Sequence, residues 1–361
     1  SRYNADYANM RTSFHWFFDN DDRRCADVLL ATWQYCGIRG RNSEATASIN
    51  AVLNGGFDLD MRIKARLLMA AGVLTRSQGC FDESRDYLHT ALKEIYRTDY
   101  EKTKAELLRQ LARTYERMNK LRLAEDLFSR AENAARASGD LMDLGLSLNG
   151  LATLAIRNGK KEEAHAYLTE SMRLLSKTGG VRDRAFVLAN YATLVRLEGD
   201  LSAAVEYSKR AVTLLKQIEE RDQVKIIYNN IATLYEEQRE WASAVDHWEN
   251  LRKLALETGD RAALSNSHAG LCRYWLHKGK PAEARTHAEA AIEAAAGMKE
   301  SCEYGTALRL MAEIHLRENS PQPALHLYKL SIEVLSKVEE PHELALAQQG
   351  FAICSKAIKQ K

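Results

Sequence analysis

Ten histidines, six cysteines and 49 aspartates and glutamates could supply metal ligands, nucleophiles or acid–base pairs, so their spacing decides what they do. No His-Glu-x-x-His occurs, and no histidine pair at metal-ligand spacing has a third ligand nearby. The cysteines, at 25, 36, 80, 272, 302 and 354, include no Cys-x-x-Cys pair and fall far apart. Neither a zinc site nor a disulfide framework is expected from them, and Cys272 is expected to act as a small apolar packing residue. There is no Gly-x-Ser-x-Gly elbow and no Gly-x-x-x-x-Gly-Lys-Ser/Thr phosphate loop. Carboxylate runs such as Glu236-Glu237 are what any charged helical array offers, and they do not point to a glycosidase-like pair. The expectation is no enzyme and no cofactor.

Amides, hydroxyls and guanidiniums show more order. Asn190 and Asn230 lie 40 residues apart, as do Thr153, Thr193 and Thr233. Asn and Thr three apart share a helix face, so Asn190/Thr193 and Asn230/Thr233 are expected to form parallel pairs, with Asn149 and Asn229 bordering them. Gln110 stands at the matching place earlier in the chain. Arg109, Arg113, Arg157, Arg196, Arg273 and Arg309 flank the amides, with Glu236, Glu237 and Glu313 diluting their field. Arginine holds a carboxylate in a bidentate fork, so an acidic or C-terminal segment is the natural ligand for such a face.

The elements that would position these residues follow from a period of 40. Ala-Thr-Leu recurs at Ala152, Ala192 and Ala232, and the same register gives Gly72, Ala112, Cys272, Ala312 and Ala352. Twelve residues on, a second small series runs Ser84, Ala124, Ala164, Ala204, Ala244, Ala284 and Ala324. Small residues at two fixed places mark helices that cross closely. Between them stand Gly79, Asn119, Gly159, Gly199, Arg239, Gly279 and Asn319; Gly and Asn tolerate the left-handed backbone that ends a helix, and Arg239 is the odd member. A fourth series, Gly139, Gly179 and Gly259, marks where second helices should stop. Each unit is therefore a helix, a tight turn and an antiparallel helix.

This pattern, with Leu111, Tyr115 and Phe128 or Ile231, Tyr235 and Trp248 filling the seam, resembles the tetratricopeptide repeat. The resemblance implies an all-α fold, a right-handed superhelix or α-solenoid of helix pairs with a leading and a capping helix. The family's usual period is about 34, so each unit here resembles a subtype with longer helices, about 17 residues or 25 Å each. It also implies that the Asn/Thr/Arg face lines a concave groove that binds a protein or an extended peptide, an Asn amide gripping the ligand backbone as donor and acceptor. The family's Lys/Asn carboxylate clamp is not reproduced. The opening stretch, with Asn9-Met10-Arg11, Trp16, Trp33, Tyr35, Arg39-Gly40 and Glu44, is similar to the start of the helical tail of STAND signalling ATPases and regulators. That implies a sensor arm docking on its own upstream ATPase core or binding an effector.

Composition bounds the partners. The 361 residues are 45% apolar, and 51 basic residues against 49 acidic give +2, not the strongly basic balance of a nucleic-acid binder. No apolar run approaches the ~18 residues of a membrane helix, so neither nucleic acid nor membrane is expected as a partner. No secretory signal is visible and the composition is of cytoplasmic type; the first residue, Ser, suggests a piece of a longer protein. The expected organisation is one array over 1–361: an aromatic-rich leading helix and degenerate first pair in 1–54, seven regular repeats in 55–340, and a capping helix in 341–361.

Overall fold

The computed structural model describes residues 2–38, 40–95, 100–338 and 341–359; Arg39, named above, lies outside them. Every regular element among them is a helix, eighteen in all. The leading segment holds α1 (Arg2–Asp19), α2 (Arg24–Ile38) and α3 (Asn42–Asn54). Helix pairs follow: α4 (Met61–Ser77) and α5 (Phe81–Ile95), α6 (Glu101–Arg117) and α7 (Leu121–Ser138), α8 (Leu141–Arg157) and α9 (Lys161–Thr178), α10 (Val181–Leu197) and α11 (Leu201–Gln217). Then come α12 (Arg221–Glu237) and α13 (Trp241–Thr258), α14 (Arg261–His277) and α15 (Pro281–Ala295), α16 (Cys302–Arg317) and α17 (Pro321–Lys337), and last α18 (Pro341–Lys359). Two compact units divide the chain, Ser1–Asn190 and Tyr191–Lys361.

The spacing of small residues explains these pairs. The first series from Gly72 to Ala312 is buried, and the second, Ser84 to Ala324, is fully buried in all seven pairs. Ala352 departs from this: it is exposed, because among the described residues no second helix follows α18 to cover it. All seven turn residues, Arg239 included, take a left-handed backbone with φ between +57° and +92°. Turn geometry thus overrides residue preference at Arg239, which lacks the short polar side chain that eases this conformation for Asn119 and Asn319. Gly139 and Gly259 also end their helices left-handed, whereas Gly179 is extended at φ −85°.

A complementarity of size across the seam is a second organising feature. Phe128 and Trp248 are fully buried, and their rings lie where a Cβ on Gly150 or Gly270 would stand, at 2.3 and 2.2 Å. Gly150 and Gly270 occupy the register place of Asn190 and Asn230, two before the small residue, and the rings occupy that of Leu168 and Ser208. Where the preceding second helix carries a ring, only Gly fits; where it carries Leu or Ser, an amide does.

Candidate functional site

The candidate site is the face of the first helices, built once in each unit. In Ser1–Asn190 the side-chain amides bind one another across repeats. Asn190 Nδ2 donates to Asn149 Oδ1 at 2.8 Å and to Thr153 Oγ1 at 3.0 Å. Asn149 is 6% exposed, and its backbone carbonyl accepts from the Thr153 hydroxyl. The two N–H donors of the Asn190 amide thus reach acceptors that α8, the preceding first helix, presents. Arg157 is exposed and donates to Asn119 Oδ1 at 2.9 Å.

Arg109 differs most from its expected place on an open face. It is 5% exposed, and its Nη2 and Nε lie 2.7 and 2.9 Å from Asp143 Oδ1 on α8. Burial of a guanidinium demands such a partner, so this cation joins two repeats. Arg113, one turn on, is half-buried, and among the described residues it makes no hydrogen bond or ion pair. Burial draws its guanidinium down to about 10 and that of Arg76 on α4 down to about 9, so both stay cationic at neutral pH. Arg76 donates to the Gln110 carbonyl and to Gln110 Oε1, each at 2.8 Å. Burial pushes the Glu116 carboxyl up.

In Tyr191–Lys361 the same face carries closed ion pairs. Arg196 donates through Nε to Glu237 Oε2 at 3.2 Å, and Arg273 through Nε to both oxygens of Glu236 at 2.9 and 3.1 Å. Arg309 is buried and pairs with Glu343 at 2.6 Å and Glu313 at 3.2 Å. The glutamates expected to dilute a cationic field are instead its specific partners. Asn229 and Thr233 are half-buried, the hydroxyl of Thr233 donating to the Asn229 carbonyl at 3.0 Å, while Thr193 and Asn230 are exposed. Thr193, Asn230 and Arg157 are thus exposed and Asn229 and Thr233 half-buried, while Asn149, Arg109, Arg196 and Arg273 bond to neighbouring first helices.

Sequence reasoning missed Arg76, Asp143 and the histidine pair His268 and His287. Asp143 was findable, lying 34 residues after Arg109 just as Glu343 lies 34 after Arg309. The ring nitrogens of His268 and His287 are 3.1 Å apart, and burial draws His268 down to about 4. Among the described residues no group of three His, Cys, Asp or Glu is placed to hold a metal, and no helix is long and apolar enough to cross a membrane.

A profile for the family described as "SNAP: Soluble NSF attachment protein, SNAP" matches residues 96–314, more than half of the chain. The chain belongs to the soluble NSF attachment protein family. Comparison with curated proteins finds no match. Among solved structures, this SNAP-family chain is similar to the apo quorum sensor NprR from B. thuringiensis, with a TM-score of 0.66 at 16% identity over 86% of this chain and 87% of that one. It is also similar to the Rap protein complexed with Competence and Sporulation Factor, with a TM-score of 0.58 at 14% identity over 93% and 99%. A third likeness is to a STAND protein with a tetratricopeptide repeat sensor from Pyrococcus horikoshii: TM-score 0.60, 14% identity, 88% of this chain and 49% of that one. At these identities the likeness is one of fold. That fold is the tetratricopeptide-like repeat of helix pairs, all-α throughout the described residues.

Proposed function

We propose that this SNAP-family chain is a non-catalytic scaffold that binds a protein or an extended peptide along its first-helix face. One array over 1–361 presents that face, with 55–340 as its repeats and 341–361 as its cap. The observation that carries the reading is the polar surface that Asn229, Asn230 and Thr233 offer on α12, a helix whose own Glu236 and Glu237 are closed in ion pairs with Arg273 and Arg196. Amides and hydroxyls offer both donors and acceptors to a polypeptide backbone. The family's name records attachment to a protein, and Rap, similar in fold, is described in complex with Competence and Sporulation Factor.

The test is capture of a partner from source lysate by the parent chain and by two variants. One replaces Thr193, Asn229 and Asn230 with Ala; the other replaces Glu206 and Lys253, on second helices, with Ala. A partner lost only by the first variant supports the reading, and one lost only by the second moves binding to the other side of the helix pairs.

The likeness to a STAND sensor supports a second reading, in which the array regulates an ATPase core in cis. Deletion of the array from the full-length protein then changes its ATPase activity; unchanged activity removes this reading.

A further inference from the structure

The two units hold the same arginine register with opposite surroundings. Arg113 and Arg273 each follow the small residue of a first helix, Ala112 and Cys272. In the first helix before each, four after the small residue, stand Arg76 and Glu236 respectively. Around Arg273 the slot holds a carboxylate, bonded through both oxygens. Around Arg113 it holds a second guanidinium, and the nearness of Arg113 adds to the effect of burial in drawing Arg76 down.

Neighbouring carboxylates do not close this gap. Asp143 is taken by Arg109. Glu116 and Asp183 act on Arg113 only through space, neither being within ion-pair distance, and Glu116 is itself pushed toward the neutral form by burial. Arg76 uses Nη1 and Nη2 on Gln110, which aims the group while leaving other N–H donors of its five unused. A half-buried cation without a counter-charge costs stability until an anion arrives. A planar carboxylate is the shape that guanidinium forks hold best.

We propose that Arg76 and Arg113 form a carboxylate-binding site, completed by an acidic side chain or the C-terminal carboxylate of a bound polypeptide, which takes the place Glu236 fills against Arg273. This rests on the first-helix face being the binding face, and it names the group that face selects.

The test titrates the whole chain at low ionic strength with two capped peptides, acetyl-Gly-Glu-Gly-amide and acetyl-Gly-Gly-Gly with a free C-terminus, while nitrogen-15 NMR follows the arginine Nε–H signals. A shift of the Arg113 signal by the first peptide assigns a side-chain carboxylate, by the second a terminal one. Arg113→Met should weaken binding about tenfold, the loss of one charge-assisted fork. It should also raise the midpoint of thermal unfolding of the unliganded chain. Arg273→Met should leave peptide binding unchanged and lower the midpoint, since it strands Glu236. Neither peptide moving Arg113 overturns the proposal, as does a lowered midpoint for Arg113→Met, which would make Arg113 a structural residue. Because the probes are defined peptides, this failure is distinct from loss of a lysate partner, which bears on the scaffold reading alone.

Discussion

Two regions built on one repeat handle the same cations differently. In the unit Tyr191–Lys361, Arg196, Arg273 and Arg309 each meet glutamates of the same unit. In Ser1–Asn190, Arg109 is matched in the same way while neither Arg76 nor Arg113 has a carboxylate within ion-pair distance. The lesson is that repetition preserves where a side chain stands, and the neighbouring repeat decides whether it is paired as a joint or left without a carboxylate. Arg109–Asp143 and Arg309–Glu343 are the same joint five periods apart.

The largest effect expected from breaking the comparison is at that shared joint. Asp143→Ala leaves Arg109 buried without a partner, which should cost about 3 kcal/mol. Urea unfolding followed by circular dichroism should show the loss. If the joint is equivalent in both units, Glu343→Ala should lose a comparable amount; a loss under 1 kcal/mol at Asp143 would mean that water replaces the carboxylate at about the median value of a surface pair.

At the next step the units should respond with opposite sign. Glu236→Gln turns Arg273 into the counterpart of Arg113 and should cost about 1–2 kcal/mol, a charge-assisted bond at a partly exposed site. Arg113→Met should stabilise. The two measured in parallel by thermal unfolding sharpen the contrast; equal signs dissolve it.

Acid should separate the units as well. Above about pH 6.5 the half-buried, neutral His268 contributes its full stability; as pH falls through the window from 6.5 to about 4, the unfolded chain takes up the proton first and that stability is lost. The groups facing it are His287, which is also lowered by burial, with Arg252 opposing and Glu249 favouring protonation. His268→Gln should flatten the acid limb of the stability profile between pH 6.5 and 4, by about 1 kcal/mol after discounting for partial exposure.

Much of this was legible beforehand, for identifiable reasons. Helix starts at Phe81, Leu121, Lys161, Leu201, Trp241, Pro281 and Pro321 follow from turn residues at a fixed period, since left-handed termination and close packing act locally. The candidate face was legible as positions and illegible as availability. Asn149 and Asn190 share a face on neighbouring repeats, yet only the folded structure shows that one amide donates to the other. Arg109 and Arg113 look alike in sequence; their difference lies in Asp143 and Arg76, a repeat away on either side. The size match of Phe128 with Gly150 was available in the letters but needed the knowledge that second and first helices of successive repeats meet there.

The smallest effect tests the first unit's own pH response. Burial raises the Glu116 carboxyl above its ordinary 4.5, so the folded chain holds this proton more tightly than the unfolded one. The sign is opposite to that of His268: destabilisation by Glu116 is complete above its folded value and is relieved as pH falls through that value toward 4.5. Arg113, Arg157, Arg117 and Arg76 all oppose the shift, so the net effect is small. Glu116→Gln should therefore stabilise at neutral pH by under about 1 kcal/mol and have no effect near pH 4. The substitution also removes a carboxylate whose charge acts on both Arg76 and Arg113. Binding of a peptide carboxylate there should tighten in the variant at neutral pH and match the parent in acid. Weaker binding would mean that Glu116 orients Arg113, and the contrast with the closed Glu236–Arg273 pair would narrow to one of distance.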